Sequence, residues 1–180
     1  MSDRLPPVTS GATHVLRPID RASASERAWV ALGMHLTLIE VEGERGRREY
    51  PLSFMRQRLD ELLDPGRHVS EIVLAVEAGS SPPVIAGHTI LRLDRDRAGR
   101  RYGLVSTTFV HPGARRVGLA DRLLSEGEGW VRTQGLAEIA TWTSSTNIPL
   151  IRLYEKHGYR TNDSGMNGAT LMVRLAKTLD

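Results

Sequence analysis

The spacing of hydrophobic positions changes character several times along the chain, and each change marks an element. "THVLRPI" (13–19) alternates apolar and polar residues as a half-buried strand does. In "SASERAWVALGMHLTLIE" (23–40), Trp29, Leu32, Leu36 and Ile39 recur at helical spacing, which predicts an amphipathic helix. "EGERGRRE" (42–49) breaks that pattern with charge and glycine. A second helix is predicted over "YPLSFMRQRLDELLD" (50–64), with Pro51 near its start and Pro65 just past its end.

The pattern then turns to strands. "EIVLAVEA" (71–78), "PVIAGHTILRLD" (83–94) and "RYGLVSTTFV" (101–110) are rich in β-branched residues and bounded by Gly, Pro or Ser. Their close spacing predicts an antiparallel meander. After residue 116 come a helix (117–133), a strand "AEIATWT" (137–143), a helix (148–157), and a strand pair around "YRTND" and "ATLMVRL". Residues 1–12, rich in Pro and Ser, are expected to form a flexible tail. Residues 13–180 are expected to form one mixed α/β domain around a single sheet.

Composition narrows the function classes. The chain has 180 residues, enough for one well-packed domain and too few for two without a clear linker. No apolar run approaches the length of a membrane span, and "MSDRLPPVTSG" has no signal-peptide core. Cysteine is absent, which excludes thiolate chemistry and disulfides and fits a reducing, cytoplasmic compartment. No metal is expected. The net charge of +3 rests on arginine, since Lys156 and Lys177 are the only lysines. The densest basic run, "RDRAGRR" (95–101), reads as a solvated hairpin loop rather than a nucleic-acid stripe.

The chemistry concentrates in "HPGARRVGLADRLL" (111–124), between an apolar strand and a helix whose inward stripe is Ala120, Leu123, Leu124, Gly127 and Val131. Unpaired amides and the positive dipole end make a helix start an anion site. A Cβ at Gly118 or a larger side chain at Ala120 would fill the space where a phosphate meets those amides. The other reading is a helix start that needs small residues to pack on a sheet, with the arginines in solvent.

Pro112, Arg115, Arg116, Gly118 and Ala120, placed after the strand ending at Val110, resemble the acetyl-CoA-binding signature of the GNAT N-acetyltransferase superfamily. Asn147, Tyr154, Gly158 and Tyr159 resemble its second motif, in the same order and about thirty residues on. The resemblance implies a central, mostly antiparallel sheet flanked by helices. It implies that acetyl-CoA is the co-substrate, held at Val110, Arg115, Arg116, Val117, Gly118, Ala120 and Asn147. Residues 115–120 would seat the pyrophosphate, and the backbone near Val110 would pair with the pantetheine arm.

The implied reaction is acetyl transfer to a primary amine by direct attack on the thioester. It asks for a neutral amine, a donor to the carbonyl oxygen and a proton for the departing thiolate. By resemblance Tyr154 is the acid, although Leu150, Ile151 and Tyr154 share one helical face and would also pack together. Asn147 stands where an N-cap is wanted, and that role is compatible with contacting the cofactor. The Val110 N–H is the candidate carbonyl donor. Many relatives carry a Glu on the strand before the phosphate turn; here Ser106 stands there, His88 and His111 are alternatives, and the base stays unassigned.

For the acceptor, Glu40, Glu42, Glu44, Glu49, Trp142 and Thr143 lie in the region that builds the family's pocket, and acidic residues there would either hold a cationic amine or form a solvated face. The partner is an amine-bearing acceptor, small molecule or protein, with neither nucleic acid nor membrane; a homodimer is one expectation. The alternative function is a non-catalytic acyl-CoA-binding sensor or interaction module.

Overall fold

The computed structural model describes residues 5–180. Strand β1 is His14–Pro18, followed by helices α1 (Ala24–Glu42), α2 (Glu44–Glu49) and α3 (Leu52–Leu63). The meander is β2 (Ser70–Glu77), β3 (Ile85–Arg95) and β4 (Arg101–Val110). A single 3₁₀ turn, Pro112–Ala114, leads into α4 (Leu119–Thr133), β5 (Glu138–Ser144), α5 (Ile148–Lys156), β6 (Arg160–Asn167) and β7 (Thr170–Thr178).

All seven strands join one sheet in the order β1-β2-β3-β4-β5-β7-β6. Every neighbouring pair is antiparallel except β4–β5. This is the mixed, mostly antiparallel sheet anticipated from sequence, and "RDRAGRR" is indeed a hairpin turn, closed by the Asp96 carboxylate accepting from the Ala98 and Arg100 amides.

Alternation along the meander sends side chains to two cores. Ile72, Leu74 and Ile90 face α1 and α3, where they pack with Trp29, Val30, Met55 and Leu59. Val73, Ala75 and Leu91 face the other way, onto Leu119, Leu123, Leu124 and Val131 of α4 and Tyr154 of α5. The sheet therefore separates an α1/α3 layer from an α4/α5 layer. Asp121 ties the last two helices together, accepting from Lys156 Nζ at 2.5 Å and meeting His157 Nε2 at 2.9 Å.

Three segments differ from the pattern reading. α1 is buried from Trp29 to His35, around most of its circumference, because α3 covers the side turned away from the sheet. The charged stretch after it is helical: Gly43, at φ 61°, turns the chain and Glu44 pairs with Arg47 one turn on. Residues 1–4 of the expected tail lie outside the described residues. Of the rest, Leu5 packs on the α1/α3 core and Val8 on the α4/α5 core.

Candidate active site

The functional geometry begins where β4 and β5 part. Their parallel ladder covers only Gly103–Val105 against Ile139–Thr141. Thr141 Oγ1 donates to the Val105 carbonyl at 2.9 Å and closes the last rung. The β3–β4 register then slips: Ile90 pairs with Thr107 and Leu91 with Val105, which leaves Ser106 as the extra residue of a bulge. A bulge bends its strand and increases its twist, so β4 leaves β5 there. Beyond the bulge Thr107–Val110 pair with β3, and Trp142–Ser144 pair with β7. The facing edges stay open.

A cavity of about 800 Å³ fills this fork and runs through the sheet. Met34, Leu38, Val41 and Met55 line it from the α1/α3 layer, and Ala120, Leu150, Leu153 and Tyr154 from the α4/α5 layer. Two molecules can thus meet in the fork from opposite faces of one sheet.

On the α4/α5 side, backbone donors converge. The His111 N–H donates to the Ala86 carbonyl of β3 at 2.8 Å. Amides of an extended chain alternate sides, so the Val110 N–H points into the fork. Arg116 (φ 67°) and Gly118 (φ 76°) are both left-handed, flanking Val117. Left-handed residues in a turn can gather successive amides into a concavity that suits an anion, and this turn leads directly into the N-terminus of α4.

An added Cβ at Gly118 would meet nothing within 4 Å, so packing does not demand glycine there. The dihedral does: an L-residue in that conformation costs about 1–2 kcal/mol. The turn carries that strain at Arg116.

The expected cofactor residues fall into two groups. Val110, Arg115, Arg116, Ala120 and Asn147 line the cavity together with Tyr154. Val117, 60% exposed, and Gly118 shape the turn without lining it. Arg115 is already engaged: its Nε donates to the Val110 carbonyl at 2.9 Å and its Nη2 to Glu40 at 2.6 Å. Asn147 occupies the N-cap position of α5, yet its side chain does not cap; its amide donates to Thr143 Oγ1 at 3.1 Å and stays at the cavity wall.

Tyr154 sits at the crotch of the fork, only 1% exposed. Burial pushes its pKa well above the usual phenol value, against hydrogen bonds with Thr141 of β5 and Thr108 of β4 that pull it down. Gly158, at φ 86°, ends α5 and turns Tyr159 back into the core, where the two rings meet edge-on at 4.7 Å. The packing reading and the cavity reading of Tyr154 therefore hold at once: ring in the core, residue at the cavity wall.

The candidate bases separate clearly. His88 is fully buried on the α1/α3 face against Trp29 and Phe109, behind the cavity lining and not part of it. Burial alone lowers its pKa to about 3, so it is a neutral core residue. His111 lies outside the cavity lining, its Nδ1 accepting from the Gly113 amide. Burial and then Arg115 hold its pKa below the usual value. Ser106 does line the cavity.

Of the four glutamates considered for the acceptor, only Glu40 and Glu42 reach the lining, as do Trp142 and Thr143. Sequence reasoning missed Thr108 and Thr141, which anchor the fork, and the second apolar stripe of α1, Met34, Leu38 and Val41. That stripe is visible as an i, i+4, i+7 series once one knows that α1 has two covered sides.

Among the described residues, no helix is long and apolar enough to cross a membrane, and no cluster of three or more His, Asp or Glu could hold a metal ion. Residues 37–159 match the model of the acetyltransferase (GNAT) family. The fold is similar to a chain of the NatC complex bound to Gag peptide and CoA (TM-score 0.67, 19% identity, covering 93% of this chain and 99% of that one). It is also similar to a ribosomal-protein-alanine N-acetyltransferase from Brucella melitensis (0.67, 14%, 92% and 99%), and to a GNAT-family acetyltransferase from Streptococcus pneumoniae (0.60, 19%, 93% and 100%). Comparison with curated protein sequences gives no match.

Proposed function

Because the chain belongs to the acetyltransferase (GNAT) family, we propose that it is an acetyl-CoA-dependent N-acetyltransferase that transfers the acetyl group directly to a primary amine. The observation that carries this reading is the fork itself. The open β4 edge at Val110, Arg116 of the left-handed turn and a buried tyrosine all line one cavity. The NatC structure was solved with CoA, which supports the choice of co-substrate.

Acetyl-CoA supplies the thioester carbonyl that the amine attacks. The residues of the chain divide the remaining work. The amides around Gly118, with Arg116, would hold the diphosphate through several converging donors, since the helix dipole alone contributes about 0.3–1 kcal/mol. Arg115 completes that grip once it leaves Glu40. The Val110 N–H would stabilise charge on the carbonyl oxygen, and Asn147 would contact the pantetheine arm from the β5 side. Tyr154, kept protonated by burial, would hold a proton for the departing sulfur; positioned proton transfer typically contributes about 10²–10⁴-fold.

The test is release of free CoA from acetyl-CoA across a panel of primary amines. Amine-dependent release is expected. A blank panel from protein that still binds CoA would replace the enzyme with a sensing module.

A further inference from the structure

The α1/α3 mouth of the cavity has a chemistry of its own, and it bears on the acceptor. Met34, Leu38 and Val41 recur at i, i+4 and i+7 on α1, so they project from one face, and all three line the cavity. Met55 of α3 and Met172 of β7 join them. Methionine side chains are unbranched and adaptable, and a wall built from three of them shapes itself to an apolar group.

Both carboxylates at this mouth are paired before CoA binds. Glu40 accepts from Arg115 at 2.6 Å. Glu42 accepts from Arg45 at 2.5 Å and from Thr170 Oγ1 at 3.2 Å. Arg45 also donates to Thr170, so the three side chains bridge α1, α2 and the start of β7. When Arg115 turns to CoA it frees Glu40 alone, at the half-exposed rim. Glu42, the other carboxylate among the described residues lining the cavity, keeps Arg45 and Thr170. A polyamine would thus have one rim carboxylate and would have to displace a guanidinium for a second.

Resting on the transferase reading, we infer that the acceptor is a primary amine whose neighbouring substituent is an apolar chain of methionine or leucine size, seated against Met34, Leu38, Val41 and Met55. Both methioninamide and a peptide beginning with methionine present this group. The amine enters the fork while the apolar chain leaves water, and discrimination against a polar or polycationic acceptor follows from that burial. One methylene in such a pocket is worth about 10- to 200-fold in specificity.

The experiment uses the full chain and four acceptors: methioninamide, a tetrapeptide beginning with Met, the same peptide beginning with Asp, and spermidine. Turnover is read as CoA release, and binding to the CoA complex by calorimetry. The two methionine acceptors should exceed the other two by about 10-fold or more in kcat/KM. A tenfold preference between the two tells a chain terminus from a small amine.

Val41→Asn and Leu38→Asn should each weaken methioninamide binding by about 10-fold with CoA affinity unchanged, which also shows that the variants fold. Preference for spermidine or the Asp peptide would overturn the inference and leave the transferase reading standing. Methioninamide binding that responds to Val41→Asn, with no CoA release from any acceptor, would keep the pocket and remove the transferase. Methioninamide that neither binds nor turns over would remove the inference.

Discussion

On the proposed reading, the two mouths of the cavity recognise by different means. The α4/α5 mouth offers backbone donors beside its side-chain wall: an open strand edge, a turn with two left-handed residues, and the first turn of a helix. The α1/α3 mouth is built from side chains, a methionine-rich apolar stripe with its carboxylates paired. Backbone donors are fixed by the fold and suit a ligand that does not vary. Side-chain walls change with single substitutions and suit a ligand that sets specificity. Each variant below touches one mouth or what supports it.

The largest expected effect is on the backbone mouth. Gly118→Glu should reduce CoA binding below detection by calorimetry, because it places a bulky anion where the proposed reading seats the diphosphate. Its Cβ meets no protein atom, so the fold should lose only the dihedral strain of about 1–2 kcal/mol. Unchanged CoA affinity would separate the turn from the cofactor.

Next in size is Tyr154→Phe at the crotch, which should lower kcat by about 10²-fold or more with little change in CoA affinity. Burial holds the Tyr154 pKa above the accessible range, so the pH profile should keep its shape and lose only height. Full activity in the variant would leave Tyr154 as a packing residue.

Behind the apolar mouth, His88 offers a test by stability. Its folded pKa, about 3, lies below the usual 6.5. The unfolded chain therefore binds the proton first, so stability is complete above about pH 6.5 and falls as pH drops toward 3. His88 should account for about 2 kcal/mol of loss between pH 7 and pH 5. In His88→Leu that share of the loss should vanish from urea unfolding midpoints, while CoA binding is retained. An unaltered acid limb would mean that the imidazole is not sealed from water.

The smallest effect joins the two mouths. Glu40→Gln removes the partner that holds Arg115. Both side chains are about half exposed, so the pair is worth at most about 1 kcal/mol. CoA affinity should rise about two- to fivefold by calorimetry; a fall would mean that Glu40 positions Arg115 for the phosphates.

Much of the frame was legible in the sequence because period and punctuation are local. The meander, the helices after residue 116 and the phosphate turn all follow from residues within a few positions of one another. The parting of β4 from β5 does not. "GLVSTTFV" reads as one strand with no turn residue after Gly103, and only pairing with β3 makes Ser106 the bulged residue. The Glu40–Arg115 and Arg45–Thr170 contacts join residues 75 and 125 apart in the chain, beyond the reach of any motif. His88 could be set on a strand face from its register, but not beneath Trp29, because strand alternation does not say which helix covers that face.

The central claim is that one fork admits two molecules from opposite faces of the sheet. The most direct measurement is a crystal structure with CoA and methioninamide bound together. The account predicts the diphosphate on the amides around Gly118, the sulfur beside Tyr154 and Val110, and the methionine side chain against Met34 and Val41. Both ligands on one face of the sheet, or a nucleotide lying along α1, would contradict it.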